Sequence, residues 1–261
     1  MAKKTETELA PTTDAAITIP DWMKEEKIEG VDNVGEFQTT PRLSIVQAMS
    51  QAERKDLVGE GGVVIMPDGV PVAKKDEEFT VAPLVFWPTW EAHSDINDAA
   101  SPFIVEQTTD PTSALAIKSR TKETREEVYG DGFKMKYVEC LNFVVRIESG
   151  AAIGELATMT FSSGEHYTGA KLCGMLKRRP CSIFANRIAL KVVLRTRNNR
   201  SWYGFDITNP ADGAIVEDKA VYDELAEIHQ GLARMVNTSK LIVSQEDKAA
   251  LTETFNENLP L

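Results

Sequence analysis

Between His166 and Phe205 the chain carries Lys171, Lys177, Arg178, Arg179, Arg187, Lys191, Arg195, Arg197 and Arg200, and neither Asp nor Glu. Cations at that density replace counterions on a polyanion, which is phosphate chemistry. The 261-residue chain as a whole has a net charge of -11, so it cannot coat nucleic acid uniformly. The acids are pushed toward the two ends, the charge signature of a local binding face with acidic flanks. In RIALKVVLRTR the even positions Ile188, Leu190, Val192 and Leu194 make an apolar set. Arg187, Lys191, Arg195 and Arg197 share the other parity and project together from a strand. In the next run, SWYGFDI, Tyr203, Phe205 and Ile207 fall on the apolar parity and Trp202 on the other. With Asn199-Arg200 as a two-residue turn, Asn198 meets Ser201, Arg197 lies opposite Trp202, and an indole stands among cations on the exposed side.

That mixture suits single-stranded nucleic acid, whose bases stack on exposed rings for roughly 1 to 3 kcal/mol each while Lys and Arg hold the phosphates. Trp202 is the main expected stacking ring, with Tyr203 or Phe184 as additions. Trp87 and Trp90 are secondary candidates, since aromatics that end a strand pack into a core at least as often.

Other chemistry finds little support. The chain has no GxSxG, HExxH or Walker motif, and GEGGVV from Gly59 leads into a β-rich run without the Lys of a phosphate loop. His93, His166 and His229 lie far apart, and Cys140, Cys173 and Cys181 show no CxxC spacing, so buried free thiols and no metal site are expected. No cofactor and no catalytic activity are expected. Two alternatives remain open. One is a virion or host-modulating protein whose basic strip binds an acidic protein partner, and the other is a nuclease built on scattered acids that converge in space.

The elements that would position these residues are mostly strands. Residues 1–41, rich in Thr, Glu, Asp and Pro, read as a flexible acidic arm. RLSIVQAM reads as a short strand, GEGGVVIMPDG as a hairpin turning at Pro67-Asp68-Gly69, and EEFTVAPLVFWPTW as a longer strand. Residues 91–135 read as a long loop with a small strand at Leu115 to Ile117. In YVECLNFVVRIE, Tyr137, Leu141, Phe143, Val145 and Ile147 share one strand face, and AIGELATMTF follows as its neighbour. Ser162 to Glu165 fits a capping box for a helix through Arg178, stopped by Pro180, with Leu172, Met175 and Leu176 buried and Lys171 and Arg178 on one side. After Pro210 to Gly213, the spacing of Val221, Leu225, Ile228, Leu232 and Val236 predicts an amphipathic helix, and a second, shorter one is expected around Glu246 to Phe255.

Several strands, one helix and two more strands is the element order of an OB barrel. The expected fold is therefore mainly β (α+β), an OB-like five-stranded barrel with one inserted helix and C-terminal helices. The expected division is an arm at 1–41, an OB-like nucleic-acid-binding domain at 42–212, and a C-terminal helical segment with a mildly acidic tail at 213–261. No run is long enough to span a membrane and no secretory leader is read, which points to a soluble protein.

TPRLSIVQAMS, FTVAPLVFWPTW and above all GAKLCGMLKRRPCSIFANRIALKVVLRTRNNRSWYGFDI resemble the single-stranded-DNA-binding proteins of tailed bacteriophages, acidic proteins built on OB folds. The likeness is one of layout and residue character over roughly positions 40 to 235. It implies sequence-tolerant coating of single-stranded DNA in replication, recombination or repair in the cytoplasm of an infected host, and it leaves room for a homo-oligomer. Many such proteins recruit viral replication or recombination proteins through a dense acidic tail with a terminal aromatic. This chain ends FNENLPL, with Glu246, Asp247, Glu253 and Glu257 spread out, so only Phe255 and its acidic neighbours could play that part.

Overall fold

A computed structural model describes residues 41–94, 103–129, 132, 134–197 and 200–237, and the elements named here lie within them. In chain order they are β1 (Arg42–Ile45), α1 (Ala52–Val58), β2 (Val63–Met66), β3 (Val70–Ala73), β4 (Glu78–Ser94), β5 (Ile104–Thr108), α2 (Ala114–Arg120), β6 (Glu126–Val128), β7 (Lys134–Ile147), β8 (Leu156–Phe161), α3 (His166–Arg178), β9 (Ile188–Arg197), β10 (Arg200–Thr208) and α4 (Lys219–Asn237). The arm and the shorter C-terminal helix expected from the sequence lie outside the described residues.

The fold is mainly β, as the alternating apolar runs imply, but its sheet is larger than the expected five-stranded barrel. Ten strands form one mixed sheet whose main path runs β10-β9-β4-β7-β8-β1-β2-β3, with β5 added to β4 and β6 to β7. This path does not close on itself. Within it, β9-β4-β7-β8 is a Greek key: β4, β7 and β8 follow one another antiparallel, and α3 carries the chain back so that β9 lies beside β4. The sheet curls strongly, since Phe161 on β8 and Phe205 on β10, which lies beyond β9, four strand pairings apart, bring their rings to 6.4 Å between centroids.

β4 and β7 are the long central strands and are buried on both faces, which is why their sequences read as near-continuous apolar runs. One face, with Val81, Phe143, Val145, Ile147, Phe161, Leu190 and Phe205, forms the main core and receives Leu172 of α3. The other, with Ala82, Leu84, Val85, Trp87 and Val144, is covered by α4 through Leu225. A bulge at Leu84 shifts the parity of β4, so that Val81 and Phe86 face the same side although five residues apart. Arg146, largely buried on the α4 side, is neutralised by Glu148 at 2.6 Å and by Glu224 of α4 at 2.7 Å. None of the described helices is long and apolar enough to cross a membrane.

Local readings need correction at three places. Residues 91–135 are not a long loop: β4 runs on to Ser94 and pairs with β5, and Leu115 to Ile117 belong to α2, whose first turn is capped by the Ser113 hydroxyl accepting from the Ala116 amide at 3.2 Å. The Ser162 capping box does not form; Ser163 to Glu165 make a single 3-10 turn ahead of α3, and the Ser162 side chain makes no cap bond. The β9–β10 hairpin pairs Arg200 with Arg197 and Trp202 with Arg195, two positions from the expected register. A slip of two keeps every side chain on its expected face, because strand side chains alternate with period two.

Candidate nucleic-acid interface

The β9–β10 hairpin brings Arg195, Arg197 and Trp202 to one face, as the parity argument requires. The acid-free window from which this face is built ends at Glu165 and Asp206, and both acids fold back onto it. Arg195 Nε lies 3.1 Å from Glu165 Oε1, and the same oxygen accepts a hydrogen bond from Trp202 Nε1 at 3.1 Å. Arg195 Nη2 donates to the Thr168 hydroxyl at 3.1 Å and to the Phe205 carbonyl at 2.6 Å. Gly204 makes this possible: a Cβ there would collide with the Glu165 carboxylate, so a bare backbone position lets the start of α3 press against the hairpin. The indole of Trp202 is therefore half-buried, laid against Gly164 on one side, rather than standing clear in solvent.

Lys171 of α3 pairs with Asp206 at 3.1 Å. Burial alone would raise the Asp206 carboxyl, but hydrogen bonds from Lys171 and from the Ile207 amide, with the nearby Arg195 charge, hold it below the ordinary carboxylate range. Two other arginines of the window are structural. Arg179 donates to Asn186 Oδ1 at 3.0 Å, to Asn209 Oδ1 at 2.6 Å and to the Ala214 carbonyl at 3.2 Å, tying the end of α3 to the strands' outgoing loops. Arg187, just before β9, binds Asp212 at 2.9 Å and the Gly213 carbonyl at 3.3 Å.

Lys177, Arg178, Lys191 and Arg197 are exposed and make no ion pair among the described residues. Lys191 sits in register between Glu78 on β4 and Asp206 on β10, which lowers its local field, whereas Arg197 stands exposed at the hairpin tip; on the other face of β9, Leu194 is 60% exposed. The backbone of Arg200 pairs with Arg197 in β10. Tyr203 is on the opposite parity; its ring faces Lys75, whose Nζ is 5.8 Å from the ring centre, and its backbone is held by Gln47. Phe184, Trp87 and Trp90 belong to the interior and are not stacking platforms. Phe184 packs between Tyr222 and His229, and Trp90 donates its Nε1 proton to Glu139 at 3.1 Å.

Comparison with protein-family models, curated proteins and solved structures found no match. The site therefore stands on its own geometry.

Sequence reasoning gave Glu165 only a capping role and passed over Thr168 and Lys136. Lys136 of β7 reaches the Ser163 hydroxyl at 3.3 Å and adds a cation to the same corner, and Tyr167, 79% exposed, begins the outer face of α3. The available signals were the position of Glu165 at the border of the acid-free window and a glycine inside an otherwise bulky strand. A second polar cluster lies inside the sheet. Buried Glu91 accepts from Thr89 at 3.1 Å and Gln107 at 2.9 Å and faces His93 Nε2 at 2.6 Å, so its carboxylate is already satisfied. Beside it, burial and the Glu91 charge push the Cys140 thiol well above its ordinary range. Among the described residues, no three His, Cys, Asp or Glu side chains gather as a metal-ligand set.

Proposed function

We propose that this chain binds single-stranded DNA without sequence preference, through the outer face of the β9–β10 hairpin and the start of α3. The observation that carries the proposal is the pairing of Trp202 with Arg195 across the hairpin, with Arg197 two residues further along the same face. An indole ring beside guanidinium groups offers a base a stacking surface and its phosphates a counter-charge, which is the recurrent chemistry of single-strand sites.

The strand order supports the finer OB reading. Three meandering strands, a crossing helix and a returning hairpin that lies beside the first of them is a Greek-key arrangement, and an OB barrel is a partly open Greek-key barrel of five strands. On this reading β4, β7, β8, β9 and β10 are the barrel, while β1, β2 and β3 extend the open side and β5 and β6 belong to an insertion. It also supports the likeness to phage single-stranded-DNA-binding proteins, and with it a role in viral DNA replication, recombination or repair in the host cytoplasm. Lys136, Lys177, Arg178 and Arg197 would supply the long-range attraction to phosphate, and Arg195 and Trp202 the close contact.

Titration of fluorescein-labelled oligo-dT, duplex DNA and oligo-U at 50 mM and 200 mM salt tests the proposal. Binding of oligo-dT that weakens several-fold with salt and exceeds duplex binding is expected, because each phosphate contact on a single strand adds about 0.7 to the slope of log affinity against log salt. Equal, salt-insensitive or absent binding would refute it, and a preference for an acidic polypeptide over oligo-dT would favour the protein-partner reading.

A further inference from the structure

We propose that Arg195, Trp202 Nε1 and Thr168 form a seat for one phosphate of the bound strand, and that the Glu165 carboxylate occupies this seat when no strand is bound. The inference rests on the single-strand reading and adds the regulation of that site. Glu165 Oε1 already stands 3.1 Å from both Arg195 Nε and Trp202 Nε1, and Thr168 Oγ1 donates to Oε2 at 3.3 Å. One anionic oxygen is thus shared by a guanidinium and an indole N–H, and the second is met by a hydroxyl; these are groups that bind a phosphate as readily as a carboxylate.

Two features suggest a replaceable occupant rather than a permanent staple. Arg195 Nε is buried and, despite its closeness to Glu165, has no aligned hydrogen bond, so the carboxylate leaves a donor unsatisfied that a tetrahedral anion approaching from another angle can meet. Glu165 itself sits in the turn ahead of α3 rather than in a regular ladder, and Ser163, two residues before it, has a positive φ of 46°. A swing of one side chain at that turn clears the seat. Gly204 has no side chain, and the Glu165 carboxylate lies in the room this leaves, which an anion taking its place would inherit. Lys136 at Ser163 and Arg197 at the hairpin tip flank the seat and compensate the released carboxylate with nearby positive charge.

The mechanism is competition. A strand must displace Glu165 to reach Arg195, which lowers affinity for isolated anions while a polyanion, held also by Arg197 and Lys136, makes the exchange. Removing the charge with Glu165→Gln keeps the side-chain volume and an acceptor for Trp202. A partly exposed ion pair is worth up to about 1 kcal/mol, so the variant should bind oligo-dT roughly three- to fivefold more tightly.

The test is a cycle of Glu165→Gln, Arg195→Gln and the double variant, titrated with oligo-dT and with poly-glutamate, each with a melting curve. The expected result is a gain from Glu165→Gln in the parent protein that falls below twofold once Arg195 is Gln. Oligo-dT binding by the parent with no gain in Glu165→Gln would overturn the seat while leaving the single-strand reading intact, and so would an equal gain in both backgrounds, which is a through-space charge effect. A gain for poly-glutamate alone would reassign the seat to a protein carboxylate. Absence of oligo-dT binding by all forms would remove the single-strand reading and the seat together. Should Glu165→Gln melt far below the parent, Glu165→Ala is measured in its place. If it too unfolds, the carboxylate is a permanent staple and the proposal is wrong.

Discussion

At the scale of single residues, the nine cations between His166 and Phe205 divide by what they touch. Arg179 is shared among Asn186, Asn209 and the Ala214 carbonyl, while Arg197 stands exposed at the hairpin tip. Truncating the first leaves several polar groups without their donor, so Arg179→Ala should cost about 1 to 3 kcal/mol in chemical denaturation and leave the salt slope of DNA binding unchanged. Arg197→Ala should do the reverse, with stability held within about 0.5 kcal/mol and a salt slope smaller by about 0.7 or less. Thiol chemistry separates in the same way. Cys140 is buried beside Glu91 and its thiol is pushed well up, Cys173 is raised by partial burial, and Cys181 is exposed. Iodoacetamide at pH 8 should label Cys181 first and Cys140 last, read by peptide mass; early modification of Cys140 would contradict the placement of β7.

At the scale of elements, the hairpin was legible because strand parity is a local property: Ile188, Leu190 and Val192 are buried, and Lys191, Arg195 and Arg197 face away from them, whatever the register. Leu194 breaks the pattern because β9 extends past the core there and nothing described covers it. The partners of the cations were not legible, since Glu165 meets Arg195 only after α3 folds back, and a Ser-x-x-Glu spacing reads equally as a cap. For the same reason α2 was hidden: seven residues give too few turns for a helical period to show. The outer edge of β10 is another tertiary device. The Gln47 carboxamide donates to the Tyr203 carbonyl and accepts from its amide, both at 2.8 Å, standing in for a neighbouring strand. Gln47→Leu should cost about 1 to 3 kcal/mol and increase aggregation, because it strips both bonds from an edge that other chains could then pair with. The α3–β10 contact is also acid-sensitive. Asp206 is held below the ordinary carboxylate range, so it contributes stability above about pH 4, its unfolded range, and loses it as the pH falls through its lower folded value. Melting temperature should therefore drop on acidification by less in Asp206→Asn than in the parent.

At the scale of the whole molecule, composition and curvature act together. In a chain of net charge -11, the two acids that border the basic run fold back onto it, Glu165 against Arg195 and Asp206 against Lys171. The mainly β class and the helix between two strand groups followed from the sequence. The sheet's full extent did not, because β1, β2 and β3 are four-residue strands that join it only through the pairing of β1 with β8, which is set by tertiary packing rather than by their own pattern. The central claim, that a base stacks beside Arg195 on the Trp202 indole, is tested most directly by tryptophan emission during titration with poly-dT at low salt, in the parent and in Trp202→Phe. Quenching in the parent that reverses with added salt and is lost in Trp202→Phe is the expected result. Quenching that persists unchanged without Trp202, or tight binding with no quenching in the parent, would contradict it.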